Sequence, residues 1–271
     1  MKKRIFAMVV LLTMALSLVA CSDKKANAKE EEYFADEDFM KDLAKGLETR
    51  WSFDSEHDDK TQDIASYSKE HKEYYEKLVD SELDSISKYM DEKFKDSKLK
   101  ESAVSYINAL NEQKEAAKYI VASPQQYEKD WEAARVKRAK LLESFVRDYG
   151  LTVSDEYQDI LDEFMITSQT AKEEDQLKEQ FAQMTENLQF AVNDDGYGNK
   201  TCTAEVHNIT DKNFKQLQFQ VNLLDGNNTI VQSTYGHVNN INADQKAVLE
   251  FMTNKDFVGT DVTIDFWEEA E

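Results

Sequence analysis

The sequence predicts an α + β chain of more than one domain, with an all-α helical bundle followed by a small antiparallel β-sandwich. Between Glu37 and Met184 only Gly46, Gly150 and Pro124 could interrupt helices, and the remaining five glycines all lie beyond residue 190. Apolar residues recur every three or four positions in the first part and alternate in the second. With 271 residues, 41% of them hydrophobic, the chain can bury one large core or two ordinary ones.

The N-terminus sets a basic run, Lys2, Lys3 and Arg4, before an apolar stretch from Ile5 to Leu12 that continues through Met14, Ala15 and Leu16. Small residues then precede Cys21. This order is that of an export signal over residues 1–20. A membrane-spanning helix needs about 20 predominantly apolar residues, and Thr13, Ser17 and the polar Ser22-Asp23-Lys24-Lys25 end the stretch too soon. Residues 21–36 begin with a polar segment, Ser22 to Glu32, that has too little apolar surface to order itself, and they read as a flexible tether.

A helical domain is expected over 37–184. Its apolar stripes run through Met40, Leu43, Leu47 and Trp51, through Ile64, Tyr67, His71, Tyr74, Tyr75 and Leu78, and through Tyr106, Ile107, Leu110, Tyr119 and Ile120. Ser123-Pro124-Gln125-Gln126 offers a capping hydroxyl, a proline at the first helical position and a glutamine three residues after the cap. The helix it opens should end at Gly150, with Tyr127, Trp131, Ala134, Leu141, Leu142, Phe145 and Tyr149 turned inward. Ser154 is placed to cap a further helix carrying Tyr157, Ile160, Leu161, Phe164 and Met165.

A β-domain is expected over 185–271. Leu217, Phe219, Val221 and Leu223 alternate with Gln216, Gln218, Gln220 and Asn222, the pattern of a strand with one wet face. The turn Asp225-Gly226-Asn227-Asn228 and the run Thr229 to Tyr235 complete a hairpin. Runs at 201–206, 247–252 and 261–266 supply the remaining short strands of a sandwich.

Two stretches resemble known families. Leu18-Val19-Ala20-Cys21 resembles the lipobox of bacterial lipoproteins, which implies a diacylglyceryl group on the Cys21 thiol and cleavage before it. Two acyl chains anchor stably where one binds only marginally, so the implied location is lipid-anchored at the cell membrane, on the extracytoplasmic face. The segments Ala204 to Asp211, Leu217 to Asp225 and Asn239 to Gln245, with Phe251, look like the FxLYD domain of bacterial surface lipoproteins, which implies an Ig-like sandwich. Leu223 and Asp225 match that family's Leu and Asp, while Val221 stands for its Phe and Leu224 for its Tyr. As a whole the chain is similar to lipoproteins of low-GC Gram-positive bacteria, and the resemblance implies no reaction.

The composition disfavours several classes. Loss of Lys2, Lys3 and Arg4 with the leader takes the net charge from −21 to −24, a field that disfavours nucleic acid. With Cys21 committed to lipid, Cys202 has no partner for a disulfide or a thiolate metal site. His57, His71, His207 and His237 show no zinc-hydrolase spacing, and there is no Gly-x-Ser-x-Gly elbow or phosphate loop. No catalytic residue, metal or cofactor is therefore expected, and among 54 acidic residues chance carboxylate pairs are common. Asp194-Asp195-Gly196-Tyr197-Gly198-Asn199 has oxygen ligands but not the alternating spacing of an EF-hand loop, and it reads as an exposed turn.

Arg135, Lys137, Arg138 and Lys140 form the densest basic run after the leader. They are a candidate interaction patch for an anionic wall polymer or an envelope protein, or else they neutralise acidic helices and lay their stems over the core. The expected function is a non-enzymatic envelope interaction module. The alternatives are a wall-active hydrolase or foldase working through carboxylates, or an accessory solute-binding lipoprotein. The second alternative calls for two lobes of alternating strands and helices, whereas here helices come first and strands after.

Overall fold

The computed structural model describes residues 32–61 and 64–270, and Phe34–Glu271 form one compact unit. The expected leader 1–20, the lipobox with Cys21 and most of the tether lie outside the described residues. Among the described residues, five α-helices precede six strands. They are α1 (Asp36–Thr61), α2 (Lys69–Ile86), α3 (Ser97–Ala117), α4 (Pro124–Tyr149) and α5 (Gln158–Thr185), then β1 (Ala191–Asp194), β2 (Lys200–His207), β3 (Phe214–Leu224), β4 (Ile230–Ile241), β5 (Lys246–Thr253) and β6 (Gly259–Glu269). The predicted order of helices before antiparallel strands is thus observed.

Local chemistry sets the helix ends, not always as the sequence suggested. The α2 helix begins at Lys69, because Ser68 is its N-cap and accepts from the His71 N–H at 3.0 Å. Ile64 and Tyr67 therefore precede the helix they were expected to join, and Tyr67 has a positive φ of 59°. The α4 helix ends as predicted on Gly150, with φ of 67°. Its start lacks the expected hydroxyl cap: the Ser123 carbonyl, not its side chain, accepts from the Tyr127 N–H. Ser154 likewise caps no α-helix. Its N–H donates to the Glu48 carboxylate at 2.7 Å, and a short 3-10 turn over 155–157 leads into α5.

Each helix packs against the next in sequence. Phe39 sits at the centre of the first core, edge-on to Tyr89, Phe94 and Phe145 at 5.4, 5.7 and 5.6 Å. Trp51 closes α1 onto the start of α5 through Tyr157 and Phe164. The α5 helix is 28 residues long and outlasts this core. Its last turns bury Leu177, Phe181 and Met184 in a second core, shared with both sheets.

The strands form two three-stranded antiparallel sheets, ordered β1-β2-β5 and β4-β3-β6. Leu217, Phe219, Val221 and Leu223 are wholly buried between them, as their alternation predicts. The turn after β3 is held by Asp225, whose carboxylate accepts from the N–H groups of Asn227 and Thr229. The sequence reading missed β1, which pairs with β2 through Ala191 to Asp194. At the seam between the sheets β4 approaches β5 through Gly236, where a Cβ would stand 2.9 Å from the Glu250 carbonyl oxygen.

Candidate functional site

A charged cluster inside the helical bundle draws one side chain or more from each of the first four helices. Gly46 begins it: a Cβ there would lie 3.2 Å from the Glu82 carbonyl oxygen, so glycine lets α1 settle close to α2. One turn later on the same face, Arg50 donates to the Glu82 carboxylate at 3.1 Å and to Gln113 Oε1 at 3.3 Å. Arg138, entering from α4, donates to Glu82 at 2.6 Å, to Gln113 Oε1 at 3.0 Å and to the Tyr106 hydroxyl at 3.0 Å. Tyr106 in turn donates to the second Glu82 oxygen at 2.5 Å. The Arg138 guanidinium also lies over the rings of Tyr106 and, from α5, Phe164.

All five polar side chains are buried. Two guanidiniums face one carboxylate, so the cluster carries an excess positive charge in a low-dielectric interior. Burial and the neighbouring Arg138 charge bring the Arg50 pKa down to about 10. Burial opposes ionisation of Glu82, but Arg138, Arg50 and the Tyr106 hydrogen bond outweigh it and hold the carboxyl below its ordinary range. Arg138 Nε alone among the described buried side-chain atoms lacks a hydrogen-bond partner. The arrangement links the first four helices through side chains that are almost wholly enclosed.

Of the four residues of the basic run, one is withdrawn from the surface and three stay partly exposed. Arg138 is 1% exposed and belongs to the core network. Arg135 is bound by Glu132 and reaches Thr167, Lys137 pairs with Glu112 and Lys140 pairs with Asp175. Three cations are thus neutralised one by one by carboxylates of neighbouring turns and helices.

The histidines are dispersed. His57 stacks on Phe53 and its Nδ1 lies 2.8 Å from the Phe53 carbonyl oxygen. His71 meets Tyr75 edge-on, and burial lowers its pKa. His207 faces Asp244 at 2.9 Å, and His237 is exposed on β4. Among the described residues no three of His, Cys, Asp or Glu converge to hold a metal. The segment Asp194 to Asn199 is the β1–β2 turn, and the Asp195 carboxylate is occupied by the N–H groups of Tyr197 and Asn199 and the Asn199 side chain. Cys202 is buried in β2 opposite Phe251, and burial raises its thiol pKa.

One open cleft of 850 Å³ lies where α5 passes the loops beside β2 and β5. Gln169, Glu173, Gln176 and Gln180 form one wall, and Asn208, Thr210 and Asp244 stand in the other. The loop wall is rigid because Asn208 is buried and saturated: its Nδ2 donates to the carbonyls of Lys212 and Asn242, and its Oδ1 accepts from Thr210. Such walls offer amide and carboxylate hydrogen bonds to a polar partner and no nucleophile paired with a base. No helix among the described residues is long and apolar enough to cross a membrane. No family model, curated protein or solved structure matches the chain.

Proposed function

We propose that the chain is a lipid-anchored envelope protein, held on the extracytoplasmic face of the cell membrane through Cys21, that acts by binding and not by catalysis. The observation that carries the reading is the position of Leu18-Val19-Ala20-Cys21 immediately behind a basic-then-apolar leader. The compact unit begins at Phe34. The 12 residues from Ser22 to Tyr33 would let it stand no more than about 40 Å from the bilayer. On this reading the strands form an Ig-like sandwich of the FxLYD kind. In support, the Leu217–Leu223 alternation packs one face of β3 into a core contributed by both sheets. The acidic surface, with a net charge of −21 for the whole sequence, keeps the body away from anionic headgroups.

Membrane fractionation of the wild-type chain and Cys21→Ala, with mass spectrometry of residue 21, tests the placement. The expected result is a diacylglyceryl adduct on an N-terminal Cys21 and release of the variant from the membrane. An unacylated Cys21 still joined to its leader overturns it.

A further inference from the structure

The outer face of the β4-β3-β6 sheet carries a pattern that the buried face does not require. On the central strand Gln216, Gln218, Gln220 and Asn222 point outward in succession, half-buried, so four amides form one row. Register sets Tyr235 of β4 beside Gln220 and Phe266 of β6 beside Gln218. Both rings are exposed, at 50% and 48%. Phe266 is turned outward by a register shift in the β3–β6 pairing, which takes Phe219 to Ile264 and Gln218 to Phe266 and leaves Asp265 as the extra residue. The bulge puts Asp265 within hydrogen-bonding reach of the Gln218 amide, on the same face as Phe266. Bulges of this kind re-aim side chains and are common beside binding sites.

We infer that this face binds an uncharged polysaccharide of pyranose units, its rings stacking on Tyr235 and Phe266 and its hydroxyls bridging the amide row. Each amide supplies two donors and an acceptor in one plane, which suits neighbouring hydroxyls. Asn222 is partly committed, since its Oδ1 accepts from the Ser233 hydroxyl at 2.7 Å, but the links on the amide nitrogens are long: Gln218 to Asp265 at 3.3 Å, Asn222 to Asp261 at 3.4 Å and Gln216 to His237 at 3.5 Å. Bonds so far beyond the usual length of about 2.9 Å are weak and yield to a better-placed hydroxyl. An apolar protein partner would instead leave the amides dry and unsatisfied, at a cost in affinity for each one.

Charge narrows the choice further. Strands β3, β4 and β6 hold one lysine and no arginine; that lysine, Lys215, is tied to Glu268 at 2.8 Å, and Asp261 and Asp265 add negative charge along β6. Anionic wall polymers and nucleic acid are therefore repelled, whereas a neutral glycan is not. Adjacent strands lie about 4.8 Å apart, so the two rings, on strands either side of β3, are about 10 Å apart across the sheet and engage different sugar units of one chain. The inference deepens the proposed envelope reading and rests on it only for where the glycan is met, not for the binding chemistry.

The test uses the full chain in a non-glycosidic detergent, titrated calorimetrically with chitohexaose, cellohexaose and mannohexaose, beside an oligolysine peptide. Saturable binding of at least one hexaose is expected, with affinity falling about tenfold in Tyr235→Ala and in Phe266→Ala, and falling also in Gln218→Ala. These side chains lie outside the core, so melting temperatures should stay near wild type. Failure of all three sugars, sugar binding that the ring variants leave intact, or preference for the cationic peptide overturns the inference. Mass spectrometry of Cys21 on the same preparation separates the two claims: an acylated chain that ignores glycans sinks this inference alone, and an unacylated chain that binds them sinks only the membrane placement.

Discussion

Arg138 and Glu82 meet at 2.6 Å inside the helical bundle, on α4 and α2, with both side chains closed off from solvent. Arg50 reaches the same Glu82 oxygen from α1, so one carboxylate balances two guanidiniums. The pairing compensates charges that could not otherwise be buried, and its value lies in what happens when one member is missing.

The three charges should therefore differ in their tolerance of replacement. Glu82→Gln leaves two guanidiniums facing each other and is expected to cost about 3–5 kcal/mol. Arg50→Met leaves the Arg138–Glu82 pair intact and electrically balanced, and should cost less, roughly 1–2 kcal/mol. Arg138→Met falls between them, since it removes bonds to Glu82, Gln113 and Tyr106 together. Urea unfolding of the three variants measures the order, and an Arg50 variant as unstable as Glu82→Gln would show that excess positive charge is not what governs the site.

The same carboxylate gives an acid limb to stability. Its folded pKa lies below the ordinary value of 4.5, so the stability it contributes is complete above that value and is lost as pH falls through the folded pKa. The gap in unfolding free energy between wild type and Glu82→Gln should be constant above about pH 5 and narrow steadily below about pH 4.5. Denaturation curves at half-unit steps from pH 6 to pH 3 would record this. A gap that does not change with pH would mean that folding leaves the Glu82 pKa unshifted, and one that widens as pH falls would mean that the carboxyl is held neutral in the fold.

Much of this cluster is legible in spacing. Arg138 lies four residues after Ala134 and four before Leu142, both buried, squarely on the stripe that identified the inward face of α4. Glu82 stands four after Leu78, and Gln113 three after Leu110, on equally buried stripes. A polar residue in an apolar period signals a buried network, whereas charge density alone groups Arg138 with Arg135, Lys137 and Lys140 and does not single it out. Helix order, the Gly150 stop and the β3 face could be read because each depends on local backbone chemistry or a strict period. The Asp265 bulge could not, because a single unpaired residue in a strand leaves no compositional trace.

Gly236 is the second position where backbone approach fixes the fold. A Cβ there would stand 2.5 Å from Leu249 Cδ1 and 2.9 Å from the Glu250 carbonyl oxygen, and the carbonyl is backbone that cannot swing away. Gly236→Ala should cost about 1–3 kcal/mol by overpacking the seam. Gly226→Ala, where nothing lies within 4 Å of the new methyl, should be nearly neutral. Thermal unfolding of the two variants side by side makes the comparison, and equal melting temperatures would rule out close approach as the reason for glycine at 236.

Helix α5 joins two cores, and Phe181 is where its far end is held. The ring is 3% exposed and packs against Phe214 at 5.6 Å and Trp267 at 5.3 Å. While that contact lasts, opening of the strands must strip apolar surface from a helix whose first turns are fixed by Trp51 and Leu161 in the other core. Phe181→Ala should cost about 3–5 kcal/mol, and the loss should not be shared evenly. Hydrogen exchange read by mass spectrometry is expected to show one common opening free energy for α1–α4 and β2–β6 in the wild type. In the variant, amides of β2–β6 should exchange faster while those of α1–α4 keep their protection. Equal acceleration in both regions would mean that the two cores unfold as a single unit even without Phe181, and the idea of α5 as their coupling element would have to be given up.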